Sequence, residues 1–144
     1  MPIELRLLGP GDEAVLTRVA AEVFDNDVDP ALTRQFLADP RHHIVVAIAQ
    51  DVVVGFVSAI DYIHPDKPAE LWINEAGVAP DYQRQGIATA LMRAMFAHGR
   101  TLGCTVAWLG TERVNAAAMG LYRSLGGGLA EADTIFEWSM SESS

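Results

Sequence analysis

Cysteine is nearly missing from the chain of 144 residues, which carries one, Cys104. An internal disulfide is therefore excluded, and no Cys/His cluster has the spacing of a metal site. Cys104 opens an apolar run, where a thiol acts as a small buried hydrophobe rather than as a nucleophile. Basic residues are also scarce: ten Lys and Arg stand against nineteen Asp and Glu, for a net charge of −9. Nucleic-acid binding depends on clustered basic side chains, so this balance argues against such a partner and favours cations. Half of the residues are hydrophobic, yet no run is long enough to cross a bilayer, so no membrane partner is expected. Met1–Gly11 lacks the basic start and continuous apolar stretch of a secretory signal. Neither repeat nor linker is evident. The expectation is one cytoplasmic domain, residues 1–144, large enough to bury a core without staples. Nothing specifies the oligomeric state, and a homodimer is compatible with the sequence.

What is present reads as alternating strands and helices. Ile3–Leu8 alternates apolar and polar residues and ends at Gly9-Pro10-Gly11, so it predicts a strand and a turn. Asp12 then reads as an N-cap, with Val15, Leu16, Val19, Ala20 and Val23 at helical spacing. The acidic segment Phe24–Asp29 breaks that helix. Asp29-Pro30 starts another, with Leu32, Phe36 and Leu37 as its apolar face. His43–Ala49 and Val52–Ile60 are β-branched runs joined by Gln50-Asp51, a hairpin. Glu70–Val78 predicts a fourth strand, Ile87–Leu102 the longest helix, Cys104–Leu109 a fifth strand and Asn115–Ser124 a short helix. Leu129–Met140 should hold one more strand or a pair. The result is an α/β (α+β) order β-α-α-β-β-β-α-β-α-β-β, with a mixed, mainly antiparallel sheet and helices on both faces. Of the histidines, His42 and His43 precede a strand, His64 sits in a Pro-rich loop and His98 on a helix. With no Ser or Cys nucleophile beside them, solvated or capping roles are expected, and His64 is placed to line an acceptor cleft.

Between the fourth strand and the longest helix lies Val78-Ala79-Pro80-Asp81-Tyr82-Gln83-Arg84-Gln85-Gly86-Ile87-Ala88. Pro80 halts the strand. Gly86 lets backbone approach a ligand, and the helix starting there offers unpaired N–H groups and a positive dipole end, for which phosphate is the natural guest.

Gln83–Ala88 fits Q/R-x-x-G-x-G/A, and a second signature follows in Asn115-x-x-Ala118-x-x-Leu121-Tyr122-x-x-Leu125-Gly126. In this order and separation the two resemble the GNAT superfamily of acyl-CoA-dependent N-acyltransferases. The resemblance implies acetyl-CoA as co-substrate and no metal. It also implies a parallel fourth and fifth strand that splay apart to admit the thioester arm. Gln83, Arg84, Gln85, Gly86, Ile87 and Ala88 would hold the pyrophosphate and Ala76, Gly77 and Val78 the pantetheine arm. The Val78 N–H would face the thioester carbonyl, and Asn115 would both cap its helix and contact the coenzyme. Tyr122 would be the general acid for the leaving thiolate. Glu75 is the candidate general base: in a regular strand it shares a face with Leu71 and Ile73, so burial should raise its carboxyl toward a useful range. Glu70 is expected to be solvated or to act in support.

The passage Glu70–Val78 followed by QRQGIATAL is similar, locally, to the small aminoglycoside 3-N-acetyltransferases, which are antibiotic-resistance enzymes. That implies a cationic small-molecule amine as acceptor, with Glu75 at the reacting amine and Asp25 and Asp27 binding a polycationic sugar. A protein N-terminus, a lysine or a polyamine is an alternative acceptor. A regulatory acyl-CoA-binding domain is the non-enzyme alternative, though binding alone needs neither Glu75 nor Tyr122.

Overall fold

In the computed structural model of the chain, the two turn residues Gln50 and Asp51 both hold positive φ, 51° and 64°. This is the type I′ geometry whose twist matches the flanking strands. The hairpin they close, β2 (His42–Ala49) and β3 (Val52–Tyr62), is the middle of a five-stranded sheet in the order β1-β2-β3-β4-β5. β1 (Glu4–Leu7) and β4 (Glu70–Val78) flank it antiparallel, and β5 (Val106–Trp108) runs parallel to β4. The structure describes residues 2–111, 114–128 and 136–140. They fall into two compact units, Met1–Thr111 and Glu112–Ser144.

Every residue from His43 to Ala47 and from Val53 to Ala59 is buried. Neighbouring strand residues point to opposite faces, so both faces of the hairpin are covered. Two adjacent residues show by what. A Cβ on Gly55 would lie 3.3 Å from Leu91 and 3.4 Å from Ile87, both on α2 (Ile87–Thr101). The next residue, Phe56, stacks on Phe24 with ring centroids 4.0 Å apart. Helix α2 therefore covers one face, and the segment reaching Phe24 covers the other. On the α2 face Leu71, Leu91, Met92 and Met95 are almost wholly buried. Each contributes roughly 1.5–3 kcal/mol relative to exposure.

Several sequence expectations are corrected. The first helix is only a 3-10 turn, Glu13–Thr17. Asp12 does not cap it; its carboxylate accepts from the Gly9 N–H at 2.9 Å and closes the preceding turn. The helix cannot continue because Arg18 and Ala20 bond the backbone of Val53 (2.8 and 2.9 Å), making a bridge from Val19 to β3. Helix α1 (Pro30–Ala38) is capped by Asp29 as expected, its carboxylate accepting from the Leu32 N–H. Its buried residues, however, are Thr33 and Leu37, while Leu32 is 64% exposed. β5 is shorter than Cys104–Leu109. His43 is buried and hydrogen-bonded to His98, not solvated. In the second unit α3 (Ala116–Ser124) begins at Asn115, whose side chain accepts from the Ala118 N–H at 3.1 Å. The expected final strand falls partly on residues 129–135, outside the described residues, and none is formed over 136–140. Among the described residues no helix is long and apolar enough to cross a membrane.

Glu70 is likewise buried rather than solvated. One carboxylate oxygen accepts from Trp108 Nε1 (2.6 Å) and Tyr62 Oη (3.0 Å), and the other lies 3.3 Å from Lys67 Nζ. The Trp108 N–H, foremost, holds this carboxyl below its usual range. A carboxyl whose folded value is depressed contributes stability that is complete above its unfolded value and disappears as pH falls through the folded one. Glu70→Gln should therefore lower the melting temperature at neutral pH, with the gap to wild type closing below about pH 4. A gap of the same size in acid and at neutrality, measured by calorimetry, would contradict this assignment.

Candidate active site

The register between β3 and β4 slips once. Ala59 pairs with Ile73 and Ser58 with Glu75, which leaves Asn74 as an extra residue in β4. A bulge of this kind reverses the inside-outside alternation beyond it. Leu71 faces α2, since the Cβ that Gly99 lacks would come within 2.9 Å of it. Without the bulge Glu75 would point the same way, as the sequence suggested. With it, Glu75 shares the opposite face with Ser58, Phe56 and Gly77, and it is exposed. The apolar burial expected of this carboxylate is therefore absent.

Gly77 is explained by a close approach of backbone. A Cβ there would collide with the carbonyl oxygen of Val23 and sit 3.2 Å from the Phe56 ring. This contact, with the stacking of Phe24 on Phe56, brings Val23 and Phe24 against the end of β4. On the strand's other edge, pairing with β5 stops at Trp72 opposite Trp108. The Ala79 N–H donates to Val54 O at 2.8 Å, toward β3. Pleating therefore turns the N–H groups of Val78 and Ala76 to the edge that β5 has left. The parting of β4 and β5 is as the resemblance implied.

Beyond Val78 the chain makes a 3-10 turn, Pro80–Tyr82, and then a loop in which Arg84 and Gly86 hold φ of 62° and 81°. For arginine this left-handed conformation costs about 1–2 kcal/mol. No side chain caps α2, and a Cβ on Gly86 would meet nothing within 4 Å. The helix start therefore opens on free space with its first N–H groups outward. Gln83 and Gln85 are committed within the protein: Gln83 Nε2 donates to Val78 O at 3.0 Å and Gln85 Nε2 to Asp81 O at 3.3 Å. The Gln83 bond fastens the loop to the open edge of β4. Arg84 is exposed, and Ile87 is buried beneath the loop. Bare N–H groups, one guanidinium and no carboxylate between Gln83 and Ala88 suit a diphosphate.

On the Glu75 face, Glu13, Glu22, Phe24, Asp25, Asp27 and Arg34 line a cleft of about 790 Å³. Asp25 and Asp27 were anticipated. Glu13 and Glu22 were not, because a helix was expected from Asp12 to Val23, and Phe24 enters the cleft from the segment expected to break that helix. Glu22 carries a positive φ of 66°. In the second unit Tyr122 lies on α3, half-buried, with its hydroxyl pushed upward by that burial.

Solved structures with this architecture include aminoglycoside acetyltransferases and a transcriptional regulator from Bacillus halodurans C-125. An aminoglycoside acetyltransferase from an uncultured soil metagenomic sample matches with a TM-score of 0.83 at 18% identity, over 96% of this chain and 97% of that one. The aminoglycoside N-acetyltransferase AAC(6')-Iy in complex with CoA matches with a TM-score of 0.77 at 19% identity, over 97% and 96%. Residues 14–126 match the model of the Acetyltransferase (GNAT) family, and the chain belongs to that family. It has the GNAT fold and is an acyl-CoA-dependent N-acetyltransferase. The N-alpha-acetyltransferase RimI of Mycobacterium tuberculosis (strain ATCC 25618 / H37Rv) is 32% identical over 129 residues, 87% of this chain and 78% of that protein.

Gly86→Val places a β-branched side chain at a left-handed position, at a backbone cost of about 1–2 kcal/mol. By titration calorimetry it should weaken acetyl-CoA binding at least tenfold while the circular dichroism stays that of wild type. Unchanged affinity in folded protein would show that the coenzyme does not lie on this loop.

Proposed function

We propose that the chain transfers an acetyl group from acetyl-CoA to a primary amine of a polycationic small molecule, by direct attack in a ternary complex. We take the acceptor to be an aminoglycoside and the amine its 3-amino group, which would make the chain an antibiotic-modifying enzyme. The observation that carries this reading is the acidic cleft, which shares a sheet face with Glu75 and reaches the end of β4 through Val23 and Phe24. Several carboxylates opposite several ammonium groups both attract and retain such a ligand.

When bound, acetyl-CoA supplies the activated acyl carbon. Arg84 and the N–H groups of Gly86, Ile87 and Ala88 hold the diphosphate, and Ala76 to Val78 extend the sheet along the pantetheine arm. Asp25 and Asp27 orient the acceptor. Glu75, exposed to solvent, takes the ammonium proton directly or through one water. The Val78 N–H donates toward the carbonyl oxygen as negative charge grows there. Tyr122 returns a proton at its Oη. Its hydroxyl, held above the ordinary range by burial, stays protonated at neutral pH and so is available to donate. Asn115 is assigned a coenzyme contact beside its capping role.

A second reading, acetylation of the α-amine of a protein N-terminus, is favoured by the likeness to RimI. Thiol release from acetyl-CoA, followed with gentamicin-like aminoglycosides, polyamines and alanine-terminated peptides, separates the two. Turnover confined to peptides would replace the aminoglycoside reading. Asp25→Asn with Asp27→Asn should raise KM for a polycationic acceptor about tenfold at low salt, with little change in kcat. Tyr122→Phe should cut kcat by roughly 10²-fold without weakening coenzyme binding, and Glu75→Gln should flatten the acidic limb of the pH–rate profile. An unaltered rate or an unaltered limb would remove that residue from its role.

A further inference from the structure

Outside this site, three titratable side chains from three elements form a line under the C-terminal half of α2. His98 Nε2 lies 2.9 Å from His43 Nδ1, and His43 Nε2 lies 2.6 Å from Asp61 Oδ1. Arg41, just before β2, approaches the other Asp61 oxygen at 3.3 Å. His43 and Asp61 are buried, on β2 and β3, and the two imidazole rings meet edge to face at 4.7 Å. The neighbouring charged and titratable groups are committed elsewhere or face outward. His42 lies 3.2 Å from Asp39, Glu70 at the start of β4 holds Tyr62, Lys67 and Trp108, and Arg93 and Arg100 on α2 are exposed. Cys104, after α2, has its thiol pushed up by burial and then by Asp61.

The hydrogen bonds limit how many protons this line can hold. Asp61, ionised, takes the Nε2 proton of His43. The facing nitrogens, Nδ1 of His43 and Nε2 of His98, are bonded only while one proton lies between them. The pair is thus stable with both rings neutral or with one positive charge shared between them. A second charge would set N–H against N–H at 2.9 Å and break the contact.

We propose that His98, His43 and Asp61 form a proton-counting latch, which clamps α2 to the sheet while at most one of the two rings is charged and releases it when both are. Gly86 stands about 18 Å along the same helix, so an opened latch loosens the end of α2 that grips the coenzyme. That last consequence rests on the coenzyme reading above; the latch itself does not. Burial, then His43, hold His98 below its ordinary value, with Asp61 opposing. For a histidine depressed in this way, stability is complete above the unfolded value near 6.5 and is lost as pH falls through the folded one.

The test uses the full chain. Imidazole signals followed by NMR should show the pair taking up one proton, with the second entering only as the helix opens. Independent titration of both rings near the ordinary histidine value would overturn the latch. His98→Gln cannot titrate, and its amide can turn either its N–H or its Oε1 to His43 Nδ1, so the contact survives whether or not that nitrogen is protonated. Between about pH 7.5 and 5.5, hydrogen-exchange protection of α2 amides should fall roughly tenfold in wild type and stay level in His98→Gln. An equal fall in both proteins would also overturn it. Should the variant not fold, the wild-type titration decides alone. Acetyl-CoA affinity should weaken about tenfold over the same interval in wild type only. If protection falls while affinity holds, the latch stands and its coupling to the coenzyme end fails.

Discussion

One surplus residue in a strand sets which way the end of β4 faces. Asn74 has no partner on β3, and so the residues before it and after it look in opposite directions. Leu71 and Ile73 build the core under α2, while Glu75 and Gly77 look to the opposite face, where Phe24 stacks on Phe56. Had the pleat run unbroken, a carboxylate would be pressed into an apolar layer, where its ionised form is costly. The bulge avoids that cost and delivers the group to the side where a cationic acceptor would stand. Gly77 serves the same end, since only a residue without a side chain lets the Val23 carbonyl lie against β4.

Helix α2 links two kinds of polar chemistry through an apolar middle. At its start, Gly86 and its neighbours leave N–H groups bare at a strained loop. Toward its other end, His98 joins a buried chain leading to Asp61. Between them Leu91, Met92 and Met95 are packed with almost no exposure.

Much of this was legible in the residues. The hairpin turn, the fourth strand, the caps at Asp29 and Asn115, the start of α2 at Gly86 and the parting of β4 from β5 are all where local chemistry and the family resemblance put them. What escaped was set by distant backbone. The bulge at Asn74 is a matter of register with β3, and no feature of Glu70–Val78 announces it. The expected helix after Asp12 failed because Arg18 and Ala20 found Val53. Without that helix, Glu22 falls in the cleft. His43 and His98, 55 residues apart, belong to patterns that are separately unremarkable in sequence.

The central claim is geometric: the outward edge of Ala76 to Val78 and the bare amides from Arg84 to Ala88 form one continuous track for the coenzyme, with Glu75 beside its reactive end. A crystal structure of the chain with acetyl-CoA tests it directly. The account predicts the diphosphate on those amides, the pantetheine arm paired along β4 and Glu75 on the acceptor side of the thioester. Coenzyme bound elsewhere, or a fourth strand without its bulge at Asn74, would contradict it.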